Sequence, residues 1–330
     1  MTPPTSAGPV SRNGPVPDGI RTAHTVMLSS PAPILRRLLG EVERWPLVFG
    51  AVVYAATAEG PRPGADLWLH ADGRVARWSG ELRTRPDGSR LETRISRRPA
   101  ASGTPNAAVR VSWTLEAVGP ASTRVTLSQE ADPAEDEADF PFGESGLVSL
   151  LADLAVFADL GDALDEWVFA FEDTVCAQGA AADALRFLAR AQDWPGAISH
   201  VASVRLDEPE PGVQFAVTGV RAPGGGVQKV PSVRVSLPDR VAYTPLTVPP
   251  FASAHLGEWI VAQRAEDTVA ITGRHTVALR PDRIAAAFGP RTTAADARSR
   301  VRAALGAHSL ATLEAARRHT ETTRATQPGG

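Results

Sequence analysis

LRFLARAQDWPGAISHVASVRL, residues Leu185–Leu206, is said twice by this chain. The earlier copy, Leu35–Ala55, reads LRRLLGEVERWPLVFGAVVYA, with Trp45-Pro46 in line with Trp194-Pro195. In each copy an amphipathic helical pattern leads into a Trp-Pro pair and then a short apolar run. The period is about half the chain. That is far too long for a solenoid, so it signals two copies of one domain. A length of 330 residues agrees, at about 150 residues per domain.

Composition narrows the class. Hydrophobic residues make up 43% and charged residues 22%, as in ordinary globular proteins. The net charge of −3 gives no broad basic footprint for nucleic acid. One cysteine, Cys176, excludes an intrachain disulfide framework and a cysteine-based zinc site. The start, MTPPTSAGPVSRNGPVPDG, has no apolar core of a signal peptide, and no apolar run approaches about 18 residues. A cytoplasmic protein without a membrane partner is the expectation.

Around the repeated stretch the remaining elements fall into the same order twice. Residues 1–20 are rich in Pro, Gly, Ser and Thr and predict a flexible tail. Thr22–Leu28 reads as a strand, and Ser29-Ser30-Pro31 as a helix start with a serine cap. The helix carries Ile34, Leu35, Leu38, Leu39 and Val42 at helical spacing, and Pro46 is expected to stop it. Strands follow at 51–58, 65–70, 74–82, 90–97, 110–117 and 124–130, divided by turn signals such as Asp72-Gly73 and Pro86-Asp87-Gly88. An acidic linker, Asp132–Asp139, leads to a long helix over 143–166. The second half predicts a strand at 166–175, a short helix at 181–191, strands at 201–207, 212–220, 227–237, 241–247, 258–263 and 269–279, and a long helix at 294–319. Gly224-Gly225-Gly226 is a hairpin loop, since no helix follows it to make a phosphate cradle. The expected architecture is α+β: two tandem helix-grip domains, 21–166 and 167–320, followed by a polar tail at 321–330. In each, a curved antiparallel sheet wraps a long C-terminal helix and leaves a cavity for a small molecule.

Six segments carry a family resemblance: VERWPLVFGAVV (42–53), FEDT (171–174), DWPGAISHV (193–201), PSVRVSLP (231–238), AHLGEW (254–259) and GRHTVAL (273–279). In order and spacing the chain resembles the didomain aromatase/cyclases of bacterial type II polyketide synthases, whose helix-grip fold is shared with START-type lipid-transfer domains. The resemblance implies first-ring aldol cyclisation and dehydration of a ketoreduced poly-β-ketone. That chain is delivered on an acyl carrier protein among the other synthase subunits. No cofactor or metal is implied.

Aligning Pro86-Asp87 with Pro238-Asp239 sets Ser232 against Gly80 and Arg234 against Leu82. Residues two apart on a strand share a face, so Ser232 and Arg234 point together, and only the C-terminal copy keeps this polar pair of the family. Arg supplies fixed donors for a developing enolate, Ser232 orients a carbonyl or water, and His255, expected in a turn, is the acid/base candidate. Trp78, His200, Gln228, Tyr243 and Trp259 are expected to bind substrate. His275 reads as a structural or surface histidine, and Trp45 and Trp194 as fold anchors. Arg94, Arg97 and Arg98 read as a solvated strand edge or as a contact for an acidic carrier. A non-catalytic protein that holds a polyketide or lipid, or a scaffold, remains open at this point.

Overall fold

The computed structural model describes residues 11–12, 21–58, 64–71, 73–98, 108–131, 141–222 and 224–326. The expected acidic linker lies outside them, as does most of the expected N-terminal tail. The chain divides into two units, Met1–Leu164 and Asp165–Gly330.

The N-terminal unit runs β1 (Ser11–Arg12), β2 (Arg21–Leu28), α1 (Ala32–Gly40), α2 (Trp45–Val48), β3 (Val52–Ala58), β4 (Gly64–Ala71), β5 (Arg74–Thr84), β6 (Arg90–Arg97), β7 (Val109–Gly119), β8 (Ser122–Ala131), α3 (Glu144–Ala158) and α4 (Leu164–Trp167), the last crossing the division between units. The C-terminal unit continues with β9 (Val168–Gln178), α5 (Ala181–Ala189), β10 (Val201–Glu210), β11 (Val213–Arg221), β12 (Val227–Ser236), β13 (Arg240–Pro245), β14 (Ala252–Ala265), β15 (Thr268–Leu279), α6 (Pro281–Phe288) and α7 (Ala294–Thr326). Each unit holds one antiparallel sheet. The orders are β1-β2-β8-β7-β6-β5-β4-β3 and β10-β11-β12-β13-β14-β15-β9. Read from β2 and from β9, the two paths are the same, which is the duplication foreseen from the repeat.

The Trp-Pro pair earns its place in both copies by one bond. Trp45 Nε1 donates to the Leu39 carbonyl at 3.1 Å, and Trp194 Nε1 donates to the Phe187 carbonyl at 3.1 Å. Each accepts in the last turn of a short helix, where carbonyls lack intrahelical donors. The indole therefore ties off the helix while its ring enters the core.

Several boundaries depart from expectation. Pro46 does not stop α1, which ends at Gly40. Instead Trp45-Pro46 opens α2, where proline costs no hydrogen bond. Pro31, not a serine, sits at the α1 cap position, and no side-chain cap forms. The helix expected over 143–166 breaks after Ala158, near Gly161 at φ +54°. The expected polar tail is helical through Thr326, because α7 continues to pair Arg317 with Glu314 and Glu321 and Arg324 with Asp267. β14 starts at Ala252, and α6 was not foreseen at all.

The long helix α7 lies on the sheet through small residues. Gly306, Ser309, Ala315 and Ala316 are buried along it. Opposite them on β15, a Cβ at Gly273 would overlap the Ser309 hydroxyl, so glycine sets the helix-to-sheet approach. Trp194, Trp259, Leu313 and Ile271 belong to the core thus enclosed.

Candidate active site

The strand registers assemble one row across the inner face of the C-terminal sheet. Gln214 pairs with Arg234, Arg234 with Tyr243, Tyr243 with Gly257, Gly257 with His275, and His275 with Phe171. Side chains at paired positions share a face, as do residues two apart on one strand. Ser232, Trp259 and His255 therefore join the same face. The sequence pairing of Ser232 with Arg234 is present, and both are buried, at 8% and 2% exposure.

Arg234 sits in an aromatic cage, its guanidinium carbon 4.9 Å from the Trp194 ring centre and 5.7 Å from that of Trp259. Its Nη2 donates to the Leu188 carbonyl, and Nε and Nη1 have no protein acceptor. Burial pulls this guanidinium down to about 10, against the opposing pull of Tyr243 and Glu208. It remains a cation at neutral pH. Tyr243 stacks on Trp259 at 4.2 Å and 22°. The ring can lie there because its cross-strand neighbour is Gly257, where a Cβ would overlap the phenol.

Two histidines complete the group. His255 Nε2 lies 3.0 Å from His275 Nδ1, and the Tyr243 hydroxyl lies 3.5 Å from that same nitrogen. The imidazoles stack at 5.3 Å and 18°. His275 is 4% exposed, and its Nε2 has no partner. Burial, then the His275 charge, pushes His255 down to about 3. Burial, then the Arg302 charge, pushes His275 down to about 4. Both are neutral bases at neutral pH. Burial raises the Tyr243 phenol while the Arg234 charge opposes it, so Tyr243 stays protonated. The face thus offers a fixed cation with two free donors, a phenol and two uncharged imidazoles. That set can abstract a proton and stabilise the oxyanion that forms.

The remaining sequence candidates separate from this group. Gln228 shares the strand face but lies at the solvent-exposed end of β12 beside the hairpin loop. His200 stacks on His308 of α7 at 4.5 Å and 19°, and burial followed by the His308 charge lowers it to about 4. Trp78 is buried in the N-terminal unit, opposite Leu67. His255 is inside β14, not in a turn. Sequence reasoning set aside His275 and cast Trp194 as a fold anchor only. Alternation along GRHTVAL, which turns Gly273, His275 and Val277 to one face, is the signal that points to His275.

The matching row of the N-terminal unit is Leu82, Thr93, Val111 and Gln129. Its interior holds a cavity of about 20 Å³, lined by Trp45, Phe49, Ile95, Trp113 and other apolar side chains, with Thr93 its one hydroxyl. That is room for little more than one water. Gly80 cannot stand in for Ser232 with a side chain, since a Cβ there would overlap the Arg94 carbonyl on β6.

Two tandem units with the same strand path, of which the C-terminal one brings Arg234, Tyr243, His255 and His275 together on one inner face, define a didomain helix-grip protein. The chain belongs to the polyketide synthase bifunctional cyclase/dehydratases. It is 35% identical over 317 residues to the granaticin polyketide synthase bifunctional cyclase/dehydratase of Streptomyces violaceoruber, covering 93% of this chain and 96% of that protein. It is 33% identical over 311 residues to the actinorhodin counterpart of Streptomyces coelicolor, covering 89% and 94%. Among solved structures, the di-domain aromatase/cyclase StfQ of steffimycin biosynthesis superposes with a TM-score of 0.77 at 26% identity, over 92% of this chain and 99% of that one. BexL of the BE-7585A pathway gives 0.75 at 30% identity, over 94% and 100%. No protein-family model matches the chain. Among the described residues, no helix is long and apolar enough to cross a membrane.

Proposed function

We propose that the C-terminal unit closes and dehydrates the first ring of a ketoreduced poly-β-ketone presented on an acyl carrier protein, in the cytoplasm and alongside the other synthase subunits. One observation carries this reading. The buried inner face bears polar atoms without protein partners: Arg234 Nε and Nη1, Trp259 Nε1 and His275 Nε2. The Arg234 and Trp259 donors are costly to leave unpaired, and a chain with a carbonyl oxygen at alternate carbons supplies acceptors at the needed density, while His275 Nε2 is left to meet a carbon-bound proton.

The steps follow from the groups present. An imidazole of the His275–His255 couple takes a proton from a carbon between two carbonyls, giving an enolate. The enolate carbon bonds to a distant ketone carbon, and that ketone oxygen becomes an alkoxide held by the Arg234 donors. The imidazolium returns its proton to the alkoxide. The couple takes a second α-proton and passes it to the hydroxyl, which departs as water and leaves the ring double bond. Ser232 and Trp259 orient carbonyls, and the Tyr243 hydroxyl steadies His275 Nδ1. Because a β-diketone proton is already acidic, placement of the chain supplies much of the rate.

The test is product analysis of a reconstituted synthase. Arg234→Ala is expected to lower correctly cyclised product by about 10²–10³-fold, the scale of losing an oxyanion donor, with shunt products in its place. Undiminished product from a folded Arg234→Ala protein refutes the assignment.

A further inference from the structure

The His275–His255 couple has a second neighbour, on the long helix. Arg302 of α7 holds its guanidinium carbon 4.3 Å from the centre of the Phe171 ring, and His275 stacks on Phe171 at 4.9 Å and 17°. Arg302 is fixed by a forked pair to Asp173, with Nη1 to Oδ2 at 3.0 Å and Nη2 to Oδ1 at 2.6 Å. Asp173 and Phe171 are two apart on β9 and share a face. One turn along α7, a Cβ at Gly306 would overlap Arg302 Nη1, so glycine leaves the space in which Arg302 turns to the sheet. The sequence thus spends a helix glycine, an aspartate and an aromatic ring on aiming one cation.

We propose that the Arg302–Asp173 pair, acting through Phe171, is a charge-positioning device that keeps the His275–His255 couple uncharged. Arg302 and Asp173 are positioning residues, and the inference rests on the reading of the C-terminal unit as the ring-forming site. A cation beside an imidazole disfavours its protonation, and low-dielectric surroundings strengthen the effect. Arg302 is the second cause of the lowered His275 basicity, after burial. The other ionisable groups facing His275 are His255 on β14 and Tyr243 on β13, with Arg234 on β12 next in the row beyond Tyr243. Arg274 on the same strand pairs with Glu172 and Glu258 on the opposite face. Asp173 tempers the Arg302 charge, so the two residues act on His275 with opposite sign. A contact that served only to hold α7 on the sheet would not behave in this way.

The test compares full-length wild type, Arg302→Gln, Arg302→Lys and Asp173→Asn. The His275 ring titration is followed by NMR with labelled histidine, assigned with His275→Gln, and circular dichroism confirms folding. In Arg302→Gln the His275 midpoint is expected to rise, by on the order of half a unit. In Asp173→Asn it is expected to fall, and Arg302→Lys stays near wild type. A rise in both Arg302→Gln and Asp173→Asn, the mark of a loosened helix admitting water, overturns the proposal, as does no change in either. The acid limb of ring formation is measured in the same variants and is expected to track the NMR midpoint. Opposite NMR shifts with an unmoved acid limb would uphold the pair and overturn instead the role of His275 as proton acceptor.

Discussion

At the scale of single residues, the site depends on groups held in unusual states. His255 and His275 lie near 3 and 4 in place of the ordinary histidine value near 6.5. Proton abstraction by this couple is therefore expected to persist well below pH 6.5, with an acid limb falling towards pH 4, checked by initial rates of product formation across pH. The same depression has a consequence for stability. The folded protein binds fewer protons than the unfolded chain, so the stability contributed by the neutral imidazoles is full above pH 6.5 and is lost as pH falls towards 4. Denaturant unfolding between these limits should show a steeper decline in wild type than in His255→Asn. Gly257 is the second residue on which geometry turns. Gly257→Ala places a methyl where the Tyr243 ring lies, so the ring must leave Trp259. The expected result is a change in tryptophan fluorescence and a loss of product at an unchanged circular dichroism spectrum.

At the scale of elements, the approach of α7 to β15 is set by Gly273 against Ser309. Gly273→Ala is expected to destabilise the C-terminal unit by about 1–3 kcal/mol, as overpacking does, and Ser309→Gly in the same chain should restore most of the loss. A urea melt of the single and double variants reads this directly. Elements were the scale most legible in the sequence. Strand alternation and turn signals placed β3 to β8 within a few residues, since period-2 patterns bounded by Asp-Gly or Pro-Asp-Gly have few other readings. What escaped was set by tertiary contact. β14 reaches back to Ala252 because β15 offers it a partner there, and α7 runs past residue 319 because Arg317 and Arg324 find acidic partners. The Ser232/Arg234 pairing was legible from strand parity alone. The meeting of His255 with His275 was not, because it depends on the register between two strands that no local pattern encodes.

At the scale of the whole molecule, one duplicated fold carries two different interiors. The strand paths match, and so do the Trp-to-helix bonds, yet the row Arg234, Tyr243, Gly257, His275 has Leu82, Thr93, Val111, Gln129 as its counterpart. The N-terminal cavity of about 20 Å³ admits little more than one water, and this copy has Gly80 and Leu82 where its twin carries Ser232 and Arg234. On that difference in residues we propose that the N-terminal unit contributes stability and the C-terminal unit the chemistry. Thr93 and Tyr243 stand at matching places and give the sharpest comparison. Thr93→Val keeps the volume and removes the hydroxyl that bonds the Val111 carbonyl at 3.3 Å. It is expected to cost about 1 kcal/mol of stability and to leave the product profile unchanged. Tyr243→Phe keeps the stack on Trp259 but removes the hydroxyl beside His275. It should lower correctly cyclised product by about tenfold or more, within the range for a group that assists proton transfer, while stability changes little. Chromatographic product profiles from the reconstituted synthase decide between the two units. If Thr93→Val diverts products and Tyr243→Phe does not, ring closure takes place in the N-terminal interior, after an opening of that unit large enough to admit the chain.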